Sequence, residues 1–401
     1  MRSIENLPGG AMHKEDEFII SCARTTLQTG MKQRLDDLLL MNMDWQYILQ
    51  ASQQHSVLPL VYHTLLTIQP SATSCPVLPE MKKYAQATVA RNLQMTAKLI
   101  KVLNLFTDQG IGAVPFKGPV LAEYVYGKLG LRCFGDLDIL IEPKDIGRAL
   151  QLLESQNFVP AIVLSAGQLS AYIKTEDDMV LQCQTSGIVI ELHWEMTGRY
   201  LQRPMDMDFI RPRLQPLHFF NTDLLHLSSE DLLLYLCIHG TRHMWERLEW
   251  LCSIAELIRN KPDIRWDVVS SLAGDMKCSR MLHHSLLLAH KILAVELPQQ
   301  ISAALSADPV LPQLHQEVTS RLLPLFLPNQ PPNPGNRFHR LQFQVRESIG
   351  DKFKYGWRQL TQAREADWRW LRLPAHFTGI YVLLRPLRLC IFYIQHKLKL
   401  E

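Results

Sequence analysis

Apolar residues recur along this chain in two periods, and the change from one to the other marks its parts. Up to about residue 107 the spacing is helical. Asp44 can cap a helix through Trp45–His55, and Tyr84–Leu105 repeats apolar residues every three or four positions. Thr67–Pro79, rich in Pro, Ser and Thr, reads as a loop. From Gln109 the pattern changes. Gly110–Phe116 and Leu137–Ile141 are short apolar runs, and Asp145–Gln156 has helical spacing with Ile146, Leu150 and Leu153 on one face. Met179–Cys183 and Ile188–Trp194 flank Thr185-Ser186-Gly187, the turn of a hairpin. After about Leu225 helical spacing returns and runs to Leu305. Pro328–Asn336 holds four prolines in nine residues, and the tail from Phe338 is helical and rich in Arg and Trp.

The pattern predicts an α+β fold, a small mixed sheet with helices, flanked by N- and C-terminal helical regions. The segments are an N-terminal helical region at 1–107, an α/β domain at 108–222, a helical domain at 223–327, and a proline-rich linker with a helical tail at 328–401. No internal repeat of solenoid period is present.

Composition narrows the class. A chain of 401 residues can bury a sizeable core, and 47% apolar with 20% charged residues is ordinary for a globular protein. A net charge of +3 leaves no strong nucleic-acid signal. Eight cysteines without CxxC spacing suit free thiols in a reducing compartment. Early acidic residues argue against a signal peptide. Phe377–Ile394 is apolar but interrupted by Arg385, Pro386 and Arg388, so no transmembrane segment is expected and the location reads as cytoplasmic. The stretch Trp368–Lys399 has the make-up of an amphipathic membrane-surface element, although packing against the helical core is the favoured reading.

Chemistry concentrates in the middle. Residues two apart on a strand share a face, so in Asp136-Leu137-Asp138 the carboxylates point one way while Leu137, Ile139 and Ile141 enter the core. Such a pair can hold Mg2+ (or Mn2+), or it can be two solvated acids on a strand edge. Glu191 and His193 share a face of Ile190-Glu191-Leu192-His193-Trp194. A neighbouring strand would make Glu191 the third acid of a site able to activate a hydroxyl, with His193 assisting or merely hydrogen-bonding. Lys117-Gly118-Pro119 follows an apolar run and opens a helix. Its backbone N–H groups and lysine can take phosphate, and Arg132 can pair with phosphate or with the carboxylates. His239 and His243, four apart, share a helix face. They can line a cleft, touch a nucleotide, or bind zinc if another ligand arrives, with Arg242, Arg247 and Trp245 nearby; Trp245 and Trp250 suit the core.

Phe116-Lys117-Gly118, the run Arg132–Ile141 and Ile190–Trp194 resemble the uncharacterised nucleotidyltransferase family of the DNA polymerase beta-type superfamily. Ile238–Trp245, Trp250-Leu251 and Leu383–Leu389 resemble it too. The resemblance implies a minimal mixed sheet, Asp136, Asp138 and Glu191 as catalytic metal-binding acids, and Lys117-Gly118 as the phosphate turn. Two positions depart from the family pattern. Pro119 stands where a Gly or Ser usually follows the turn glycine and removes one N–H donor; Ser253 stands where an Asp is common. The implied activity is Mg2+-dependent transfer of a nucleoside monophosphate from an NTP, ATP included, to a hydroxyl or phosphate acceptor. No motif identifies that acceptor, small or macromolecular. The alternatives are a catalytically silent nucleotide sensor or scaffold on the same fold, and a peripheral-membrane interaction protein.

Overall fold

A five-stranded sheet is built from β1 (Ala113–Pro115), β2 (Asp136–Ile141), β3 (Phe158–Pro160), β4 (Asp178–Cys183) and β5 (Val189–His193). The strands lie in the order β1-β2-β5-β4-β3. Only β2 and β5 run parallel; the remaining neighbours are antiparallel. The computed structural model describes residues 12–28, 30–69, 75–199, 201–325 and 335–397. By contacts the chain divides into two compact units of discontinuous stretches. One comprises Met1–Lys98, Lys117–Gly135 and Leu227–Arg346; the other comprises Leu99–Phe116, Asp136–His226 and Glu347–Glu401.

In the sheet unit, alternation decides what is buried. Leu137, Ile139 and Ile141 of β2, Ile190 and Leu192 of β5, and Met179, Leu181 and Cys183 of β4 are all shielded from solvent. The helix Ile146–Ser155 buries Ile146, Ala149 and Leu153 at helical spacing. The short strand β3 went unread in the sequence, and so did a helix and a hairpin. The helix Ala166–Thr175 begins with a capping box in which Ser165 and Gln168 satisfy each other's backbone N–H groups, a readable Ser-x-x-Gln signal. The hairpin β6 (Gln215–Phe219) and β7 (Thr222–His226) turns through Phe220 at φ +54°. Most of its side chains are half-buried or exposed, so no apolar alternation announced it.

The tail belongs to this unit. Its helices are Ile349–Thr361, Glu365–Trp370 and Tyr381–Lys397. Trp368 is buried with its ring centroid 5.5 Å from Tyr172 and 4.7 Å from Tyr381. Asp367 accepts from Arg385 at 2.7 Å and also from Arg388, so the two arginines that interrupt the apolar stretch are held by one buried carboxylate. Trp368, Tyr381 and Arg385 are thus buried within the sheet unit and the tail itself and not against the helical core as expected, and many of the tail's other apolar side chains stay in solvent. By length and composition, Ala375–Phe392 is apolar enough to cross a membrane, with a mean hydropathy of 1.2 and only 11% of the window buried.

The other unit is helical. Among its helices are Lys14–Cys22, Met31–Leu39, Trp45–Gln54, Leu58–Ile68, Gly118–Tyr126, Ser229–Arg242, Leu248–Asn260, Trp266–Met276 and Ser279–Leu293. Asp44 caps its helix by accepting from the Tyr47 N–H, as its position predicts. The helix Leu78–Asp108 starts six residues before the apolar repeat that foretold it. The loop reading of Thr67–Pro79 falls partly on residues 70–74, and the linker Pro328–Asn336 mostly on 326–334, outside the described residues. Helices Ser229–Arg242, Leu248–Asn260 and Ser279–Leu293 pack on one another. Their junction is tight. A Cβ on Gly240 would meet the Trp245 ring at 2.3 Å, and Met244 and Trp245 turn the chain at φ +56° and +58°. All eight cysteines are free thiols.

Candidate metal centre

Parallel pairing of β2 and β5 sets Asp138 directly opposite Glu191 and Asp136 opposite Val189. All four side chains, with His193, leave the sheet on the face away from the core, because the pleat alternates. Nε2 of His193 lies 3.4 Å from Oδ1 of Asp138 and 3.4 Å from Oε2 of Glu191. One ligand atom from each of the three lies within 4.8 Å of the others. Phe116 closes one side. Its ring meets the His193 ring edge-on at 5.1 Å, and its N–H donates to the Asp138 carbonyl at 3.3 Å. Asp138 and His193 are buried and Glu191 half-buried, so the group opens to solvent along Glu191.

Two close carboxylates, one of them buried, need a cation. His193 supplies one. Burial alone would lower its pKa, but contacts with Asp138 and Glu191 and the field of Asp178 outweigh that and raise it to about 9. The two carboxylates thus favour the imidazolium form of the ring. The donor set fits a divalent ion, since carboxylate oxygens suit Mg2+ and Mn2+ and an imidazole nitrogen is a known third partner for transition ions. A divalent ion would take over the charge compensation that the imidazolium provides. Among the described residues this is the group of three or more potential ligands that converges, and it pairs Asp138 and Glu191 with His193; Asp136 lies outside it. On the same face Asp136 sits two residues earlier, half-buried. Asp178, across β4 from His193, was missed in the sequence because the apolar run was taken to begin at Met179.

The remaining candidates lie in the helical unit. Gly118, at φ +53°, opens the helix Gly118–Tyr126, a backbone geometry that favours glycine. Nζ of Lys117 is 5.9 Å from the Tyr235 ring. The His239 ring centroid lies 4.6 Å from His243, 5.7 Å from Tyr235 and 5.7 Å from Trp250, with His243 5.2 Å from Trp250. Burial, with Lys117, His243, Arg242 and Arg132 all cationic or partly so, holds the pKa of His239 well below the ordinary range and keeps the ring neutral. No third donor joins this pair among the described residues, so the zinc reading has no support. Trp245 is core, as expected, while Trp250 is half-buried in the aromatic group.

A comparison of the sequence with family models matches residues 41–294 to the one described as uncharacterised nucleotidyltransferase. That is more than half of the chain. The protein belongs to this nucleotidyltransferase family. No curated protein matches it. The matched span contains the Asp138–Glu191–His193 group together with Lys117, Gly118, Arg132, His239 and His243, and it ends before the tail. Membership supports a nucleotidyl-transfer role in general.

Within this nucleotidyltransferase, two open questions from the sequence have structural answers. Arg132 does not wait for phosphate alone: its Nε is 2.7 Å from Oε1 of Glu249, both side chains being buried. Ser253, where the resemblance implies an Asp, donates to Glu249 at 3.0 Å and shares a 2.9 Å hydrogen bond with the buried Tyr126 hydroxyl. A serine there completes a network from Arg132 through Glu249 to Tyr126. An aspartate in its place would bring a second charge beside Glu249 and need another cation.

Proposed function

We propose that this nucleotidyltransferase moves a nucleoside monophosphate from an NTP to a hydroxyl or phosphate acceptor, with Mg2+ (or Mn2+) held by Asp138 and Glu191 and joined by Asp136. The single observation that carries this reading is the in-register pairing of Asp138 with Glu191, with Nε2 of His193 3.4 Å from a carboxylate oxygen of each. When bound, the divalent ion supplies alignment of the α-phosphate and neutralises charge on the leaving pyrophosphate.

The residues of the chain do the rest. An acceptor oxygen forms a new bond to the α-phosphorus, and the bond from that phosphorus to the bridging oxygen breaks, releasing pyrophosphate. Glu191, the most exposed acid of the group, takes the acceptor proton. Asp138 is shielded from water, so its charge keeps its strength towards a cation. Lys117 and the Gly118 turn carry the phosphate-binding role that the resemblance implies, supported by the left-handed Gly118 that opens the helix Gly118–Tyr126.

The test is pyrophosphate release from a mixture of NTPs with a broad acceptor pool, alongside Mn2+ binding followed by electron paramagnetic resonance. Asp138→Asn and Glu191→Gln are each expected to lower release by about a hundredfold or more and to weaken Mn2+ binding. Unchanged release in the double variant sinks the proposal. Pro119 favours a second reading, a nucleotide-binding sensor, because it removes one N–H from the phosphate turn. Tight NTP binding by calorimetry without release for any acceptor would support that reading instead.

A further inference from the structure

The tail of the sheet unit exposes apolar surface in an ordered arrangement. Along the helix Ile349–Thr361, Ile349, Phe353, Trp357 and Leu360 recur at four-, four- and three-residue spacing, so they form one stripe. They are left 85%, 72%, 57% and 53% exposed, while Tyr355 on the opposite side is buried. The helix Tyr381–Lys397 packs against this one and exposes Leu383, Leu387 and Ile391, again a turn apart, with Val382 and Phe392 beside them. The segment between them adds exposed Trp370, Leu371, Phe377 and Ile380. Isolated surface leucines need no explanation, but stripes of Trp, Phe, Leu and Ile on two packed helices do.

Charge selects the occupant. Residues 347–401 carry ten Lys and Arg against five Asp and Glu, a net of +5 in a chain whose total is +3. The remainder of the sequence is therefore slightly acidic, and the excess positive charge belongs to the same 55-residue stretch as the apolar stripes. Arg369 and Arg372 are exposed next to Trp370 and Leu371. A second copy would bring the same positive charge to the same face, so self-association here works against electrostatics. An anionic lipid surface answers both features: acyl chains take the apolar side chains, and headgroups meet the basic ones. Spanning is disfavoured, since Arg385 and Arg388 are held on buried Asp367 in the middle of the apolar window.

We propose that the C-terminal helices seat this protein on an anionic membrane, lying in the interface with the Ile349–Leu360 and Leu383–Ile391 stripes inserted. The proposal is independent of the transfer chemistry, because its readout needs neither nucleotide nor divalent ion.

The experiment is flotation of the full chain with vesicles of phosphatidylcholine alone or mixed with phosphatidylglycerol. The intact protein is expected to float with the mixed vesicles and much less with phosphatidylcholine, and raised salt is expected to release it partly. Phe353→Ser with Trp357→Ser and Leu383→Ser should lower binding by about tenfold or more, since each removes an inserted apolar group. Arg369→Glu with Arg372→Glu should abolish the preference for phosphatidylglycerol. All five positions are exposed, and unchanged far-ultraviolet circular dichroism and unfolding midpoints verify that the variants fold. Absence of flotation with mixed vesicles overturns the proposal. So does light scattering that shows a dimer for the intact chain and a monomer for the serine variant, because the face would then be covered by a second copy.

Discussion

His193, Arg132 and Gly240 each show a side chain, or the lack of one, set by its neighbours. The pKa of His193 is raised because two carboxylates surround it, although burial acts the other way. Arg132 shows the converse. It carried a phosphate-binding reading in the sequence, yet it spends a short ion pair on Glu249 in a site where both side chains are under a tenth exposed. Replacing Glu249 with Ala removes the buried carboxylate that Arg132 and Ser253 share, and the expected cost is about 3 kcal/mol of stability. Urea unfolding of the variant checks it, and a loss below about 1 kcal/mol would mean water reaches the guanidinium freely. Gly240→Ala is expected to destabilise by about 1–3 kcal/mol, because the new Cβ overlaps the Trp245 ring and Trp245 is fixed by its own tight turn. Thermal unfolding measures this one directly.

At the scale of elements, the parallel β2–β5 pair is what converts two weak motifs into a site. By themselves, the Asp-x-Asp strand can be read as two solvated acids on an edge, and the x-Glu-x-His strand as an apolar strand whose Glu191 needs a partner. A slip of one residue between them would still leave both patterns intact in sequence but separate Asp138 from Glu191. The turn elements around the sheet carry a second consequence. Glu176, just ahead of β4, is buried, and burial outweighs the pull of Arg364 to raise its pKa to about 8; Glu195 is raised to about 7 for the same leading reason. Both acids hold protons in the folded state that they lose on unfolding. Stability is therefore greatest on the acidic side and falls as pH rises from about 5 to about 8. Glu176→Gln should flatten part of that slope, with a higher urea midpoint than the intact protein at the alkaline end. A slope identical in the two proteins would show that Glu176 is charged throughout.

For the whole molecule, the uneven distribution of charge is the property with functional weight. The sequence outside residues 347–401 is mildly acidic, whereas that stretch is basic and exposes apolar side chains. A nucleotidyltransferase held at a membrane would meet lipid-linked or membrane-delivered acceptors at raised local concentration. If so, mixed vesicles should leave NTP-dependent pyrophosphate release unchanged with a soluble acceptor, and assays with and without vesicles check this.

Much of the sheet and its helices was legible in the sequence, because strands with a buried face alternate and the helices repeat at three and four residues. The shared face of Asp136 and Asp138, that of Glu191 and His193, and the glycine turn after Phe116 also follow from chain geometry alone. The exposed β6–β7 hairpin was not legible, since its side chains have no core to face. Nor was the partner of any charged side chain. Strand order brought Glu191 and His193 to Asp138, helix packing gave Arg132 to Glu249, and Asp367 claimed both arginines of the tail. Sequence carries periodicity, which is local; a buried charge is neutralised by whatever the fold sets within a few ångströms of it, and only the tertiary structure decides that.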